Sequence, residues 1–261
     1  GGSALANPNL SLVLNTFFYS SNLSSSELAG RTIPGYINEG IATTKGFNLE
    51  SAELFIFAPV DPYFNLYATL PVKEDGIELE EAYFVTTALP DGFQVKGGKF
   101  KSGFGRINGQ HPHQWDFADS PLPYRAFIGS EGIIEKGVQV SYLPELPFYT
   151  IIGLETLQGE NEILFGPDAR SGIHAYSGFV KSSFDLGDAS TLLFGPSVAT
   201  GKTKTTTISD DTEFVGDSTL YGLELEKNIS LPVFKRYLSF SKEVCLERLK
   251  IPEANFFIDV K

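Results

Sequence analysis

Apolar and polar residues alternate along this chain in short runs separated by turn residues. In Asn9–Ser20, Leu10, Leu12, Leu14 and Phe18 fall on one side, and Asn9, Ser11 and Asn15 fall on the other. A period of two places successive side chains on opposite faces of a strand. Tyr63–Leu70 repeats the pattern, with Phe64, Leu66, Ala68 and Leu70 alternating with Tyr63, Asn65, Tyr67 and Thr69. Further strands are expected over Ile77–Ala88, Phe93–Phe100, Gly137–Leu143, Phe148–Leu157, Tyr176–Leu186, Ser190–Val198 and Thr219–Glu226. Pro71–Gly76, Pro90-Asp91-Gly92, Pro144–Pro147 and Gly187-Asp188-Ala189 supply tight turns.

This grammar predicts an all-β fold of about ten to twelve antiparallel strands. Connections differ in length. Beside the tight turns stand long polar stretches, Ser21–Lys45, Gly103–Glu131, Gly159–Ser171 and Thr200–Asp217. Outer-membrane barrels combine short periplasmic turns with long external loops, and Phe and Tyr near strand ends suit interfacial girdles. The expectation is therefore a single antiparallel transmembrane β-barrel domain, or part of one, over residues 1–261, which is either incomplete at its C-terminus or ends in a tail, 235–261, that is not a membrane strand. The tail from Lys235 to Lys261 alternates weakly, and Lys242–Lys250 is compatible with a helix. A soluble β-sandwich with a binding or adhesion role produces the same alternation, because periodicity does not reveal what covers the apolar side.

Composition sharpens this. No stretch approaches the ~18 consecutive apolar residues of a membrane-spanning helix, so a membrane would be crossed by strands. The 22 Phe and 11 Tyr, with 26 Gly and 15 Pro, fit many strands and turns. A single cysteine, Cys245, excludes an internal disulfide framework and a cysteine-based metal cluster. The chain has no Met, as a mature sequence without its signal peptide would. A formal charge of −12 argues against nucleic acid as a partner. It is compatible with solvated loops, or with an acidic lumen favouring cations.

Candidate chemistry concentrates in Gly97–Phe117, GGKFKSGFGRINGQHPHQWDF. His111 and His113 flank Pro112, with Asp116 and Asp119 nearby. In an extended segment His-x-His directs both rings to one side, so His111, His113 and Asp116 are candidate ligands for a zinc-like ion; otherwise no cofactor is expected. The alternative is that these rings hydrogen-bond within a folded loop. Lys96, Lys99, Lys101 and Arg106 form a basic cluster of which alternate members would face a lumen. Lys99, Lys101, Arg106 and Arg125, with Asp116 and Asp119, are the constriction candidates. The Gly103–Glu131 loop is long enough to fold inward over them. Trp115 and Phe117 are expected to pack this loop down.

Enzyme chemistry is not expected. Glu80-Glu81 and Asp210-Asp211 are adjacent pairs whose carboxylates diverge when both members lie in a strand. Ser130 sits in GSEG, outside any nucleophile elbow. GPSVATGKTK (Gly195–Lys204) lacks the phosphate-loop spacing and a following helix.

Four strings carry a family resemblance: VDPYFNLYATL (Val60–Leu70), the run Glu80–Asp119 with its HPHQWDF (His111–Phe117), EGIIEKGVQVSYL (Glu131–Leu143) and LETLQGENE (Leu154–Glu162). They resemble a Gram-negative outer-membrane porin-like family, some members of which are labelled zinc-regulated TonB-dependent outer-membrane receptor. The resemblance covers Pro8–Gly166 well and the remainder loosely. HPHQWDF is its specific part, whereas GKFxxxFG is shared with phosphate-selective-type porins. It implies a bacterial outer-membrane barrel in contact with lipid and lipopolysaccharide, alone or as a homo-oligomer, that passes small hydrophilic solutes or ions. A metal-linked receptor is the alternative. TonB-driven receptors carry an N-terminal plug, and the residues before Asn9 are too few for one, so a passive pore is expected.

Overall fold

The computed structural model describes residues 8–24, 26–27, 44–115, 120–169, 172–187, 189–207, 212–231, 236–251 and 254–258. Among the described residues thirteen strands form one antiparallel sheet. They are β1 (Asn9–Tyr19), β2 (Gly46–Pro59), β3 (Phe64–Lys73), β4 (Gly76–Ile77), β5 (Glu81–Thr86), β6 (Phe93–Lys101), β7 (Ile134–Tyr142), β8 (Tyr149–Leu157), β9 (Ala175–Asp185), β10 (Ser190–Thr207), β11 (Thr212–Leu231), β12 (Arg236–Ile251) and β13 (Ala254–Ile258). Each strand pairs with the next in sequence, except that the two-residue β4 folds back on β3 and β5 takes the following place. The sheet is open. Among the described residues β1 and β13 form its two edges.

Local chemistry sets the turns. Asp61 accepts from the backbone N–H groups of Tyr63 and Phe64 at 2.7 and 2.9 Å and closes the β2–β3 turn. Asp91 and Gly92 both have positive φ, 56° and 75°, as a hairpin turn matched to strand twist requires. The Phe93 N–H donates to the Pro90 carbonyl across that turn.

Burial along the strands is inverted relative to a water-soluble sheet. In β8, Leu154 is 68% exposed while its neighbour Glu155 is 2% exposed. In β11, Tyr221, Leu223 and Leu225 are exposed while Glu224 and Glu226 are buried. In β7, Val138 and Val140 are exposed, and Gln139 and Ser141 are buried. Register extends these rows across strands: Val140 lies opposite Leu154, and Gln139 opposite Glu155. Leu10, Leu12, Leu14 and Phe18 of β1 are exposed as well. A polar group leaves water at little cost only when it is hydrogen-bonded, and the inner carboxylates meet that condition through the connections described below.

Several expectations are corrected here. Thr200–Asp217 is not a long loop, because β10 and β11 run through it and pair from Ser190/Ile229 to Thr207/Thr212. Pro71–Lys73 belong to β3, which leaves Glu74-Asp75 as the turn. The interval Ile77–Ala88 is divided between β4 and β5. The helix-compatible Lys242–Lys250 is strand, since β12 pairs with β11 along fifteen register positions, Asp217/Lys250 to Leu231/Arg236. Ladder formation outweighs a weak local preference.

Alternate connections fall at opposite ends of the sheet. At one end lie the short β2–β3, β5–β6, β7–β8 and β9–β10 connections; at the other lie the long β1–β2, β6–β7 and β8–β9 connections, with the shorter β3–β5 and β10–β11 ones. Described residues of the β6–β7 and β8–β9 connections fold over the polar face. They carry α1 (Leu122–Ile128) and the single-turn α2 (Glu162–Phe165). Phe104, Ile107, Tyr124, Ile128, Leu164 and Phe165 pack there with Leu157, Ala175, Ala199 and Leu220 of the sheet. Half-buried Trp115 packs against this cluster, as expected, while Phe117 lies outside the described residues. Among the described residues no helix is long and apolar enough to cross a membrane.

Candidate functional site

The segment after β6 is fastened to the polar face of β8–β11. Glu155 accepts from the Ser102 hydroxyl and, at 2.7 Å, from the Gly103 N–H. Gly105 donates to Ser197 Oγ at 3.2 Å and accepts from Lys181 Nζ at 2.8 Å. Arg106 Nη1 stands 2.7 Å from Glu226 Oε2, whose side chain is 4% exposed. Gly222 makes the approach feasible: a Cβ there would lie 2.6 Å from Ser197 Oγ and 3.0 Å from the Phe104 ring. The loop closes on itself through Asn108, which donates to the Ser102 and Ile133 carbonyls and accepts from the Ile133 N–H. Glu135 secures the next connection by accepting from the N–H groups of Gly159, Glu160 and Asn161. Glu135, Glu155 and Glu226 are thus occupied as anchors, so net acidity does not translate directly into a free cation-binding wall.

Beyond Arg106 the loop reaches the other side of the polar face and delivers His111 and His113 to β2 and β5. Residues Pro112–Gln114 form a 3-10 turn rather than an extended segment. The two imidazoles nevertheless lie side by side, 5.8 Å between centroids and 13° from parallel. His111 Nε2 is 2.9 Å from Glu81 Oε2. An ionised carboxylate only accepts, so Nε2 carries the proton it donates. His111 Nδ1 then faces two more carboxylates, Glu80 at 3.5 Å and Glu53 at 3.6 Å. His113 Nδ1 is 3.7 Å from Glu53. Lys101 Nζ pairs with the other oxygen of Glu80 at 2.8 Å, and the Lys101 N–H donates to Glu81.

Charge coupling here is strong. Burial opposes a charged imidazole at His111, but hydrogen bonds to Glu80 and Glu81 outweigh it and lift its pKa to about 9. Burial likewise opposes ionisation of Glu80, yet hydrogen bonding to His111 and the Lys101 charge hold it at about 2. Both groups lie in the connections outside the strands.

The sequence candidates are thus distributed unevenly. Strand parity puts Lys96 on the polar face, its ammonium 5.1 Å from the Tyr83 ring centroid and 5.2 Å from that of Phe100. Lys99 stands in the opposite row, opposite Ala82 and Lys136, and donates to the Leu79 carbonyl. Lys101, in that same row at the strand end, is buried against Glu80. Arg106 lies on the polar face against Glu226, and Arg125 is buried in α1. Asp116 and Asp119 lie outside the described residues. The carboxylates that meet the histidines are Glu53, Glu80 and Glu81. Glu80 and Glu81 do not diverge, because β5 begins at Glu81 and Glu80 precedes it, its N–H donating to the Thr69 carbonyl. A buried-row acidic residue, such as Glu53 between Ser51 and Phe55 on one face of β2, is the signal that would have pointed there.

Comparison with known proteins adds one relative. No family model and no solved structure matches the chain. Over 262 aligned residues it is 47% identical to an uncharacterized protein of Aquifex aeolicus (strain VF5), a match covering 92% of this chain and 55% of that protein. The chain therefore spans about half the length of that relative.

Proposed function

We propose that this chain forms the wall of an outer-membrane-type β-barrel whose inward-folded connections narrow a porin-like channel for small hydrophilic solutes or ions. The observation that carries the reading is the inverted sheet, with Leu154 68% exposed beside Glu155 at 2%. Leaving a large aliphatic side chain in water forgoes roughly 1.5–3 kcal/mol, and the exposed rows repeat that cost on strand after strand. Hydrocarbon removes it, whereas a soluble sandwich would bury these rows between two sheets. The sequential antiparallel order and the gathering of the long connections at one end of the sheet also support the reading. The bacterial outer membrane, with its lipopolysaccharide, is the corresponding location.

In this reading the 102–133 connection sets the width of the passage. Its anchors to Glu155, Ser197, Lys181 and Glu226 cross the polar face from β8 to β11. The chain refolded in detergent should migrate faster on a gel before boiling than after, and should give discrete conductance steps in a planar bilayer. Unchanged mobility would sink the barrel; normal heat-dependent mobility without conductance would sink the channel alone.

A further inference from the structure

We propose that Glu53, Glu80 and His111 bind a divalent cation of the borderline, zinc-like class, which ties the inward loop to β2 and β5. Three observations converge. First, Glu81 occupies His111 Nε2 at 2.9 Å and turns Nδ1 toward the Glu80 and Glu53 carboxylates. A carboxylate behind an imidazole is the arrangement that orients metal-ligating histidines. Nδ1 itself is buried, and its approach to those two carboxylates is long, at 3.5 and 3.6 Å. Second, Glu53 is 8% exposed. Among the described residues its ion pairs are with His111 and His113, at 3.6 and 3.7 Å, both longer than an ordinary hydrogen bond. Third, the spacing suits one ion. The ligand atoms of Glu53, Glu80 and His111 all lie within 4.8 Å of one another. Ligands about 2.0–2.1 Å from a tetrahedral zinc are separated by roughly 3.3 Å, close to the 3.5 and 3.6 Å found from Nδ1.

Charge and donor type narrow the choice. Glu53, Glu80, Glu81 and nearby Glu131 stand against two ammoniums, Lys96 near Glu81 and Lys101, which engages Glu80 Oε1 and leaves Oε2 facing His111. The two negative charges that remain match one divalent ion. A nitrogen donor among carboxylates favours zinc over magnesium or calcium, which prefer oxygen alone. His113 Nδ1, beside Glu53, stands near a fourth position. The ligands come from β2, the β4–β5 connection and the loop, so the ion would cross-link the loop to the sheet. Binding does not depend on the channel reading, and a protein that conducts nothing could still hold the ion.

The test uses the full chain without a polyhistidine tag, chelator-stripped in detergent and titrated with zinc by calorimetry. One equivalent should bind, with affinity at least tenfold weaker in His111→Ala and in Glu53→Gln, unchanged in His174→Ala, and far weaker with magnesium. Equal binding by wild type and His111→Ala, or no saturable zinc binding, would overturn the site. Should the variants fail to fold, diethylpyrocarbonate labelling of the wild type decides. Zinc should protect His111 from modification, and equal labelling with and without zinc rejects the proposal.

Discussion

His111 links carboxylates of β2, β5 and the β4–β5 connection to one loop, and in the metal-free protein a proton must do what an ion would otherwise do. Its pKa of about 9 in the fold stands above the ordinary 6.5. The stabilisation it contributes is therefore complete below about pH 6.5 and is lost as pH rises through about 9. Glu80 runs the other way. Held at about 2 against an ordinary 4.5, it contributes fully above about pH 4.5 and loses its effect as pH falls through about 2. Chelator-treated protein should be hardest to unfold in urea between about pH 4.5 and 6.5. His111→Gln should flatten the decline on the alkaline side and Glu80→Gln that on the acid side. Urea midpoints measured against pH for the three proteins check this, and a wild-type midpoint level from pH 6.5 to 9 would refute it. The histidine pair was legible in the sequence because HPH is conspicuous in a chain with three histidines. Its carboxylate partners were not. They come from positions 53, 80 and 81, and only strand register and the exact start of β5 bring them to the loop.

At the scale of elements, the 102–133 connection behaves as a strap whose fastenings can be cut one at a time. Arg106→Ala would leave Glu226, 4% exposed in its side chain, without its guanidinium partner. An unsatisfied buried charge of this kind costs on the order of 2–3 kcal/mol, and Glu226→Gln in the same chain should recover part of it. Urea unfolding of the two single variants and the double variant forms the cycle that isolates the pair; additive effects would mean that the two groups do not interact. Gly222→Val is a steric counterpart. Its side chain would collide with Ser197 Oγ and Phe104, so proteolysis within 102–133 should accelerate several-fold. Thr219→Val, on the opposite row of the same strand, should leave the cleavage rate unchanged. That Gly103–Glu131 could fold back was anticipated from length alone, and its described residues lie on the polar face of the sheet. What fastens it was not, because Glu155, Ser197 and Glu226 read in sequence as ordinary polar members of alternating strands. Local propensity misled at β12 for a related reason. Its helix-compatible residues are committed to strand by pairing with β11, information carried by another part of the chain.

For the whole molecule, the sequence revealed that a two-residue period exists but not which row meets solvent, and a sandwich and a barrel share that period. The two differ in which row is left exposed. Val140 is 44% exposed and lies opposite Leu154, in a row that looks outward, whereas adjacent Gln139 is buried opposite Glu155. On a water-facing surface Val140→Lys would change stability by less than about 0.5 kcal/mol. On a lipid-facing row near mid-membrane the same substitution costs about 2–4 kcal/mol, and less near an interface. Gln139→Lys, one residue away, points to the polar side, where a long amphipathic side chain can reach water or the nearby carboxylates. Refolding both variants into lipid vesicles and comparing urea midpoints therefore reads the orientation of the sheet directly. The membrane reading requires Val140→Lys to be the more damaging, and a neutral Val140→Lys would assign the exposed rows to water and remove the main support for a barrel.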